Sequence, residues 1–303
     1  MTERIIDISE TPARLSVDLD RLVVESGGQK TTVPLDQVGG LIVSCPGVTY
    51  TQAVLSGLLR GGGWFVCCDE RHMPVGLLAP FAANTVQTER FALQAVLSVP
   101  KKKQLWAQVV RTKVAGQAKT LRAVIGDDNG LSALSGKVKS GDSGNIEALA
   151  ARLYWPALFR TPDFRRDPDA EGVNGLLNYA YAILRAGMAR AICGAGLHPS
   201  LGLHHHNRYD AYCLASDLME PFRPLADRVV ADLTRERGMD AALDAKIKRL
   251  LLGALTSRHR VAGERRTIFD LMGGLASSLA EVVMGRRSGL RLPDVDYEAE
   301  QES

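Results

Sequence analysis

The sequence predicts an α+β protein, with a small N-terminal β-rich, sandwich-like domain followed by a larger all-helical C-terminal domain. Before about residue 80, short β-branched and alternating runs are separated by glycine turns. After Pro80, apolar residues recur at helical spacing. The chain has 303 residues, 46% hydrophobic and 23% charged, which excludes a wholly disordered protein. We therefore predict domains at 1–82 and 83–289 and an acidic, disordered tail at 290–303.

The first domain is predicted from a series of strands and one helix. Gly27-Gly28 predicts a hairpin turn between the second and third strands. Thr51 is a suitable N-cap for a helix over 52–60, which Gly61 would end. The predicted strands are 4–9, 13–25, 30–35, 38–45, 64–68 and 73–78.

The second domain is predicted as a succession of helices. The segment 174–195 is apolar on all sides, which is typical of a buried helix. Pro221 lacks a backbone N–H and predicts a kink beside Glu220. The predicted helices are 89–99, 102–125, 145–159, 174–195, 209–237, 239–256 and 266–284.

Composition indicates the cellular compartment and the kind of partner to expect. Five cysteines without a C-x-x-C pair indicate neither a disulfide framework nor a cysteine zinc site, and we expect a reducing cytoplasm. No signal peptide and no membrane-spanning apolar stretch are recognised. Residues 91–289 carry 29 Lys and Arg against 19 Asp and Glu. That excess suits either a polyanionic partner or a solvated helical surface.

Ionisable residues lie within otherwise apolar surroundings at three places. Glu147 falls in the first turn of a predicted helix, where an acid can simply compensate the helix dipole. His204, His205 and His206 are adjacent, so a regular element cannot point all three at one ion, and a single inward ligand or a solvated turn remains open.

The third place is an acidic pair. Asp217 and Glu220 are three residues apart and would share a helix face, either as an ordinary exposed pair or as cation ligands. One oxygen from Glu147, one nitrogen from a histidine and one or two oxygens from Asp217 and Glu220 would form a mixed donor set. Such a set suits Mg²⁺ or Mn²⁺ better than structural zinc. A bound ion of this kind assists attack on a phosphate.

Four motifs in order carry a family resemblance that spans nearly the whole chain. They are Asn-x-Glu147-x-x-x-Ala-Arg-x-Tyr, Asn174-x-x-Leu-Asn-Tyr-x-Tyr-x-Ile-Leu, Gly-Leu-His-Pro-x-Leu-Gly202-x-His-His and Asp217-Leu-Met-Glu220-Pro-Phe-Arg-Pro. The sequence resembles the CRISPR-associated integrase of the adaptation module, the spacer-acquisition protein. The last two motifs look most like its type II branch.

The resemblance implies a metal-dependent DNA endonuclease and integrase that joins 3′-hydroxyl ends of short foreign duplexes to a CRISPR repeat. It implies Glu147, His205 and Glu220 as catalytic metal ligands for Mg²⁺ or Mn²⁺, with Asp217 as a possible further ligand. It also implies a homodimer, and a hetero-hexamer with a small ferredoxin-like partner. In the type II branch, a guided nuclease and a DNA-clamping ring protein are further expected partners.

Basic residues on the predicted helical domain are candidates for sequence-independent phosphate contacts. They are Lys101, Lys102, Lys103, Lys137, Lys139, Arg165, Arg166, Arg258, Arg260, Arg265 and Arg266. Two other functions stay open: a general metal-dependent nuclease acting on branched DNA in repair, and a catalytically idle DNA-binding scaffold.

Overall fold

The computed structural model describes residues 4–69, 74–80, 84–261 and 264–294. The strands are β1 (Arg4–Ile8), β2 (Arg14–Asp18), β3 (Arg21–Ser26), β4 (Gln29–Pro34), β5 (Val38–Val43), β6 (Thr49–Tyr50), β7 (Trp64–Cys68), β8 (Pro74–Leu78), β9 (Arg258–Val261) and β10 (Glu264–Thr267). The helices are α1 (Gln52–Arg60), α2 (Gln87–Ala95), α3 (Val99–Ile125), α4 (Leu131–Ser135), α5 (Ile146–Leu158), α6 (Val173–Gly194), α7 (Cys213–Met219), α8 (Arg223–Arg237), α9 (Ala245–Thr256) and α10 (Ile268–Val283). The predicted order, a strand-rich part followed by a mainly helical part, is confirmed.

Two four-stranded sheets and α1 enclose the core of the N-terminal part. One sheet has the order β1-β5-β7-β8, with parallel pairing except between β7 and β8. The other has the order β4-β3-β2-β6. Between them lies an apolar cluster that includes Leu15, Leu22, Leu41 and Leu58, each at most 1% exposed.

The first sheet contributes to both cores of the molecule because its side chains alternate between two faces. On β5, Leu41 joins the cluster between the sheets, whereas Ile42 joins the core of the helical part. On β7, Phe65 and Trp64 divide in the same way. The sheet therefore fixes the helical part against the strands.

The predicted strand 13–25 is wrong in one respect, because it is two strands rather than one. β2 and β3 pair antiparallel about a turn at Leu19 and Asp20, whose φ angles are 46° and 58°. Alternation along a single strand 13–25 would put Leu19 on the buried face of Leu15, but Leu19 is 90% exposed. Leucine is uncommon at positive φ, so residue type gave no turn signal. The second hairpin, at Gly27-Gly28, is confirmed.

Helices α3 and α6 form the centre of the helical part. Both pack against α8, and α6 also packs against α7 and α10. The prediction that α6 is buried is confirmed, since Leu176, Leu184, Met188 and Ile192 are fully buried. These two long helices hold the loops and short helices that carry the candidate site.

The predicted helix 209–237 starts later and is interrupted. α7 begins at Cys213, a 3₁₀ turn follows over Glu220–Phe222, and α8 begins at Arg223. The interruption falls at Pro221, where the kink was expected. As a result Glu220 lies between two helices rather than within one.

Other boundaries also differ from the prediction. α2 covers Gln87–Ala95 rather than 89–99, and α3 starts at Val99 rather than 102. At two further helices a capping residue marks the observed start. α9 starts at Ala245 rather than 239, because the Asp244 side chain accepts a hydrogen bond from the Ile247 N–H. α10 starts at Ile268, where Thr267 and Asp270 form a capping box. The preceding residues form the β9–β10 hairpin, whose alternation is hidden by arginines. The short helix α4 was not predicted.

Within the described residues, no helix has the length and hydropathy needed to cross a bilayer. The start of the predicted strand 73–78 and the tail beyond residue 294 lie outside the described residues, as does the side chain of Arg260.

Candidate active site in the helical part

Two of the predicted carboxylates meet at a lysine that the sequence analysis did not single out. Lys113 on α3 places its Nζ 2.6 Å from Glu147 Oε1 and 2.5 Å from Glu220 Oε2. The two glutamates come from α5 and from the 3₁₀ turn after α7, 73 positions apart in sequence. The structure thus brings both carboxylates to a single cationic group.

Glu147 is positioned by an unexpected cap at the start of α5. Asn145 adopts a left-handed conformation, with φ of 50°, and its side chain caps nothing. Asp142 instead accepts hydrogen bonds from the N–H groups of Ile146 and Glu147, at 2.9 and 3.0 Å. The carboxylate of Asp142 therefore supplies the favourable anion at the helix N-terminus. This leaves Glu147 free to point towards Lys113.

Glu220 is almost fully buried and is paired on both sides. Arg223 Nη2 lies 3.1 Å from its Oε1, and Lys113 lies against its Oε2. Burial acts to raise the pKa of Glu220, but Arg223 and Lys113 outweigh it and lower the pKa. The two glutamates likewise raise the pKa of Lys113 against the effect of its burial. Glu220 and Lys113 are therefore both charged at neutral pH.

The histidine loop is built around one buried carboxylate, that of Asp217. It accepts backbone hydrogen bonds from Leu203, His204 and His205, at 2.6, 2.9 and 3.2 Å. Its Oδ1 also lies 2.5 Å from His205 Nδ1, and this contact, with burial opposing it, raises the pKa of His205. With Nδ1 engaged, His205 has its Nε2 available for another partner.

Close packing fixes this loop further. A Cβ at Gly202 would lie 2.2 Å from the His205 carbonyl oxygen, so only glycine fits. His204 stacks on the buried Trp106, with ring centroids 4.4 Å apart and planes 2° from parallel. Trp106 also meets the His205 ring edge-on at 5.8 Å. The two adjacent histidines therefore have different, well-defined positions.

A buried polar network extends behind Glu220. Tyr154 and Tyr181 both donate hydrogen bonds to Asp227. The Arg223 guanidinium lies 4.6 Å from the centre of the Tyr181 ring, which links this network to Glu220. Burial raises the pKa of Asp227 to about 7, although the tyrosine hydroxyls act in the opposite direction.

The candidate DNA-contact residues fall in several places. Lys103 packs its stem near Gly141 in the turn that leads to Glu147, and Lys137 and Lys139 are exposed just before that turn. Arg166 instead turns inward to the carboxamides of Asn174 and Asn178. Of the others, Lys101 and Lys102 are half-buried at the start of α3, Arg165 is exposed, and Arg258, Arg265 and Arg266 are exposed on the β9–β10 hairpin.

A sequence signal for Lys113 existed but was missed. Lys113 and Gln117 interrupt an apolar stripe of α3 that contains Val109, Val110 and Val114. A lysine on a buried stripe needs a partner of opposite charge. Arg223 stood within a quoted motif but had no predicted role. Trp106 and Asp227 gave no signal, because their roles arise from contacts distant in sequence. Asp142 acts locally, but it lies three residues before the usual N-cap position.

The geometry can be compared with what a metal site needs. Across the described residues, no three His, Cys, Asp or Glu side chains are grouped so that they could hold one ion. Glu147 and Glu220 nevertheless share one cation, the Lys113 ammonium, so their carboxylates already face a common point. His205 is near enough for both glutamates to affect its pKa. The donor set fits a hard divalent cation, and metal ligation by these residues stays a prediction.

Comparison with known proteins agrees with this architecture. The family model for CRISPR associated protein Cas1 matches residues 6–256. The CRISPR-associated endonuclease Cas1 of Neisseria meningitidis serogroup C (strain 8013) is 35% identical over 292 residues, which cover 93% of each chain.

Solved structures share the fold at lower identity. A casposase bound to its integration product has a TM-score of 0.74 at 20% identity, covering 99% of this chain and 96% of that one. A chain of a Cas6-RT-Cas1–Cas2 complex has a TM-score of 0.71 at 18% identity, covering 95% of this chain and 35% of that one. With the family model matching most of its length, this chain belongs to the CRISPR-associated Cas1 family.

Proposed function

We propose that this protein is a metal-dependent DNA endonuclease and integrase, which joins the 3′-hydroxyl ends of short foreign duplexes to the repeat of a CRISPR array. The observation that carries the proposal is the meeting of Glu147 and Glu220 at one cationic group, beside a histidine oriented by Asp217. Family membership and the endonuclease name of the Neisseria relative support it.

Glu147, Glu220 and His205 would hold the Mg²⁺ or Mn²⁺ ion. When bound, such an ion neutralises charge on the scissile phosphate and lowers the pKa of an oxygen nucleophile. Asp217 orients the His205 ring through Nδ1 and keeps Nε2 available. Since its two oxygens already accept four contacts, we assign Asp217 to positioning rather than to ligation.

The reaction exchanges one phosphodiester for another. The donor 3′-oxygen bonds to phosphorus, the 3′-oxygen of the array strand leaves, and the hydroxyl proton is transferred to the leaving oxygen through solvent. No nucleotide energy source is needed because bonds broken and formed are equivalent. The chain supplies positioning and a fixed electrostatic environment.

Exposed lysines beside the site suit binding of the DNA backbone. Lys103, Lys137 and Lys139 flank the turn before α5, and would hold phosphates without reading bases. The arginines of the β9–β10 hairpin form a second basic surface, which we also assign to DNA.

We extend the proposal to the assembly and the setting. The protein would act in the cytoplasm as a homodimer, and with a small ferredoxin-like partner as a hetero-hexamer. A structural neighbour described as a Cas1–Cas2 complex supports a partner of that kind. The wording of the histidine and Asp217 motifs supports the type II branch, in which a guided nuclease and a DNA-clamping ring protein would also take part.

An integration assay with the partner protein and a supercoiled array plasmid tests the proposal. We expect His205→Ala to abolish half-site strand transfer and His204→Ala to retain it, because only His205 contacts Asp217 through its ring. The reverse result would make His204, rather than His205, the functional histidine. Cleavage of branched DNA without joining of 3′ ends would favour the repair nuclease instead. Absence of both activities and of Mn²⁺ binding would favour an idle scaffold.

A further inference from the structure

Lys113 is unusual in being a buried lysine placed directly between two proposed metal ligands. The residue is 8% exposed, and its Nζ lies 2.6 Å from Glu147 Oε1 and 2.5 Å from Glu220 Oε2. Its long side chain reaches them from α3, an element that carries no proposed ligand. The ammonium therefore stands where a shared cation of these carboxylates would stand.

The positive and negative charges around the Lys113 ammonium are already equal in number. The carboxylates of Glu147 and Glu220 face the cationic groups of Lys113 and Arg223. A divalent cation added to this set would meet two positive charges in a region largely shielded from water, where repulsion is strong. The site can accept a divalent cation most readily if one of these positive groups moves away.

Lys113 is the group that can leave. Lys113 is ion-paired with both carboxylates and so occupies the space between them, whereas Arg223 is ion-paired with Glu220. Lysine has a flexible stem and a compact charge. Arg223 is more firmly fixed, because its guanidinium also lies over the Tyr181 ring.

We propose that Lys113 is an internal counter-ion, which holds Glu147 and Glu220 together in the metal-free protein and yields its place when a divalent cation binds. The inference rests on the proposed metal-dependent function and goes beyond it. Lys113 then has two opposite effects: it stabilises the metal-free fold, and it competes with the metal. A lysine that only prepares the carboxylates for the metal would have the opposite effect on affinity.

The counter-ion role is tested by whether removal of Lys113 raises or lowers the affinity for Mn²⁺. Binding of Mn²⁺ to the full chain is measured by calorimetry for the wild type, for Lys113→Met, and for Lys119→Met, which removes a half-exposed lysine from the same helix. We expect Lys113→Met to bind Mn²⁺ more tightly by on the order of tenfold or more. Lys119→Met should match the wild type.

Thermal unfolding provides the second readout. Lys113→Met should melt at a lower temperature than the wild type in EDTA, because Glu147 loses the Lys113 cation and Glu220 keeps Arg223 alone of its two cationic partners. Mn²⁺ should raise its melting temperature more than that of the wild type. If Lys113→Met does not fold, Lys113→Gln removes the same charge and keeps a polar hydrogen-bonding group in its place.

The outcomes separate the two hypotheses. Wild-type binding of Mn²⁺ with equal or weaker binding by the Lys113 variants overturns the counter-ion role and leaves the proposed function intact. Absence of Mn²⁺ binding in the wild type overturns the proposed metal site itself.

Discussion

The strand-rich and helical parts of this molecule are stabilised in different ways. In the strand-rich part, the described core is apolar, and Ser44 is its single buried polar residue. In the helical part, Lys113, Asp217, Glu220 and Asp227 are all buried among apolar side chains. The first core follows from burial of apolar area, whereas the second holds charges that are stable only with their partners.

The residues that stabilise the strand-rich fold are therefore different from those that build the candidate site. A substitution in the strand-rich core should change stability and leave the site unchanged. A substitution among the buried charges should change activity, metal binding or pH dependence, and should change stability in a partner-dependent way. Each prediction below tests one side of this contrast.

Leu41→Ala should have the largest effect on stability. Leu41 is completely buried between the sheets, and loss of its side chain leaves a cavity that should lower the free energy of unfolding by about 2–5 kcal/mol. Urea unfolding measures this, with the 90% exposed Leu19→Ala as control. Strand transfer below the unfolding transition should stay at the wild-type rate. A selective loss of transfer by the folded variant would show that the two parts are coupled.

Glu220→Gln should have the largest effect on activity. It keeps the shape of the side chain but removes a proposed ligand, so half-site strand transfer should fall by roughly 100- to 1,000-fold. Integration gels under single-turnover conditions measure it. Glu236→Gln, on the exposed side of α8, is the matched control. Full activity of the Glu220 variant would remove this residue from the mechanism.

The sequence predicted the strand-rich core better than the site because local patterns determine the former. Alternation in β5 and β7 places apolar side chains on both faces, and the Gly27-Gly28 turn follows from residue type. The same local rules failed at Leu19, because its positive φ is enforced by pairing of β2 with β3. Local signals therefore describe elements but not every turn between them.

In the candidate site, only residues that lie within the family motifs could be predicted. Glu147, His205 and Glu220 were named from motifs, and the structure brings the two glutamates together. Lys113 is 34 residues before Glu147 in sequence, so its role depends on how α3 packs against α5. No period or motif encodes such a contact.

Asp217→Asn should affect activity less than Glu220→Gln. The amide nitrogen cannot accept the hydrogen bonds that one carboxylate oxygen now accepts, so the His205 loop should loosen. We expect a 10- to 100-fold loss in activity or metal affinity. This is the usual cost of removing a residue that hydrogen-bonds to a metal ligand and orients it.

Titration of strand transfer with Mn²⁺ distinguishes this positioning role from a general loss of fold. The Mn²⁺ concentration for half-maximal activity should rise, while saturating Mn²⁺ should restore part of the rate. Asp163→Asn, at an exposed loop position, should behave as the wild type. An unchanged Mn²⁺ requirement in Asp217→Asn would show that the loop does not serve metal binding.

Asp227→Asn should have the smallest effect on strand transfer, and its main effect should be on how stability depends on pH. The pKa of Asp227 is raised to about 7 by burial, against about 3.9 in an unfolded chain. Between these pH values the folded state holds a proton that the unfolded state lacks. The contribution of Asp227 to stability is therefore full at pH below 4 and is lost as pH rises through 7.

Urea unfolding of both proteins at several pH values should therefore show the wild type losing stability relative to Asp227→Asn by up to about 1.4 kcal/mol per pH unit between pH 4 and 7. Any constant offset between the two proteins reports the altered bonds to Tyr154 and Tyr181, and only the slope reports the buried charge. A flat difference would mean that the two tyrosine hydroxyls and Arg223 already keep Asp227 ionised, in which case the helical core holds one more permanent charge than burial alone would allow.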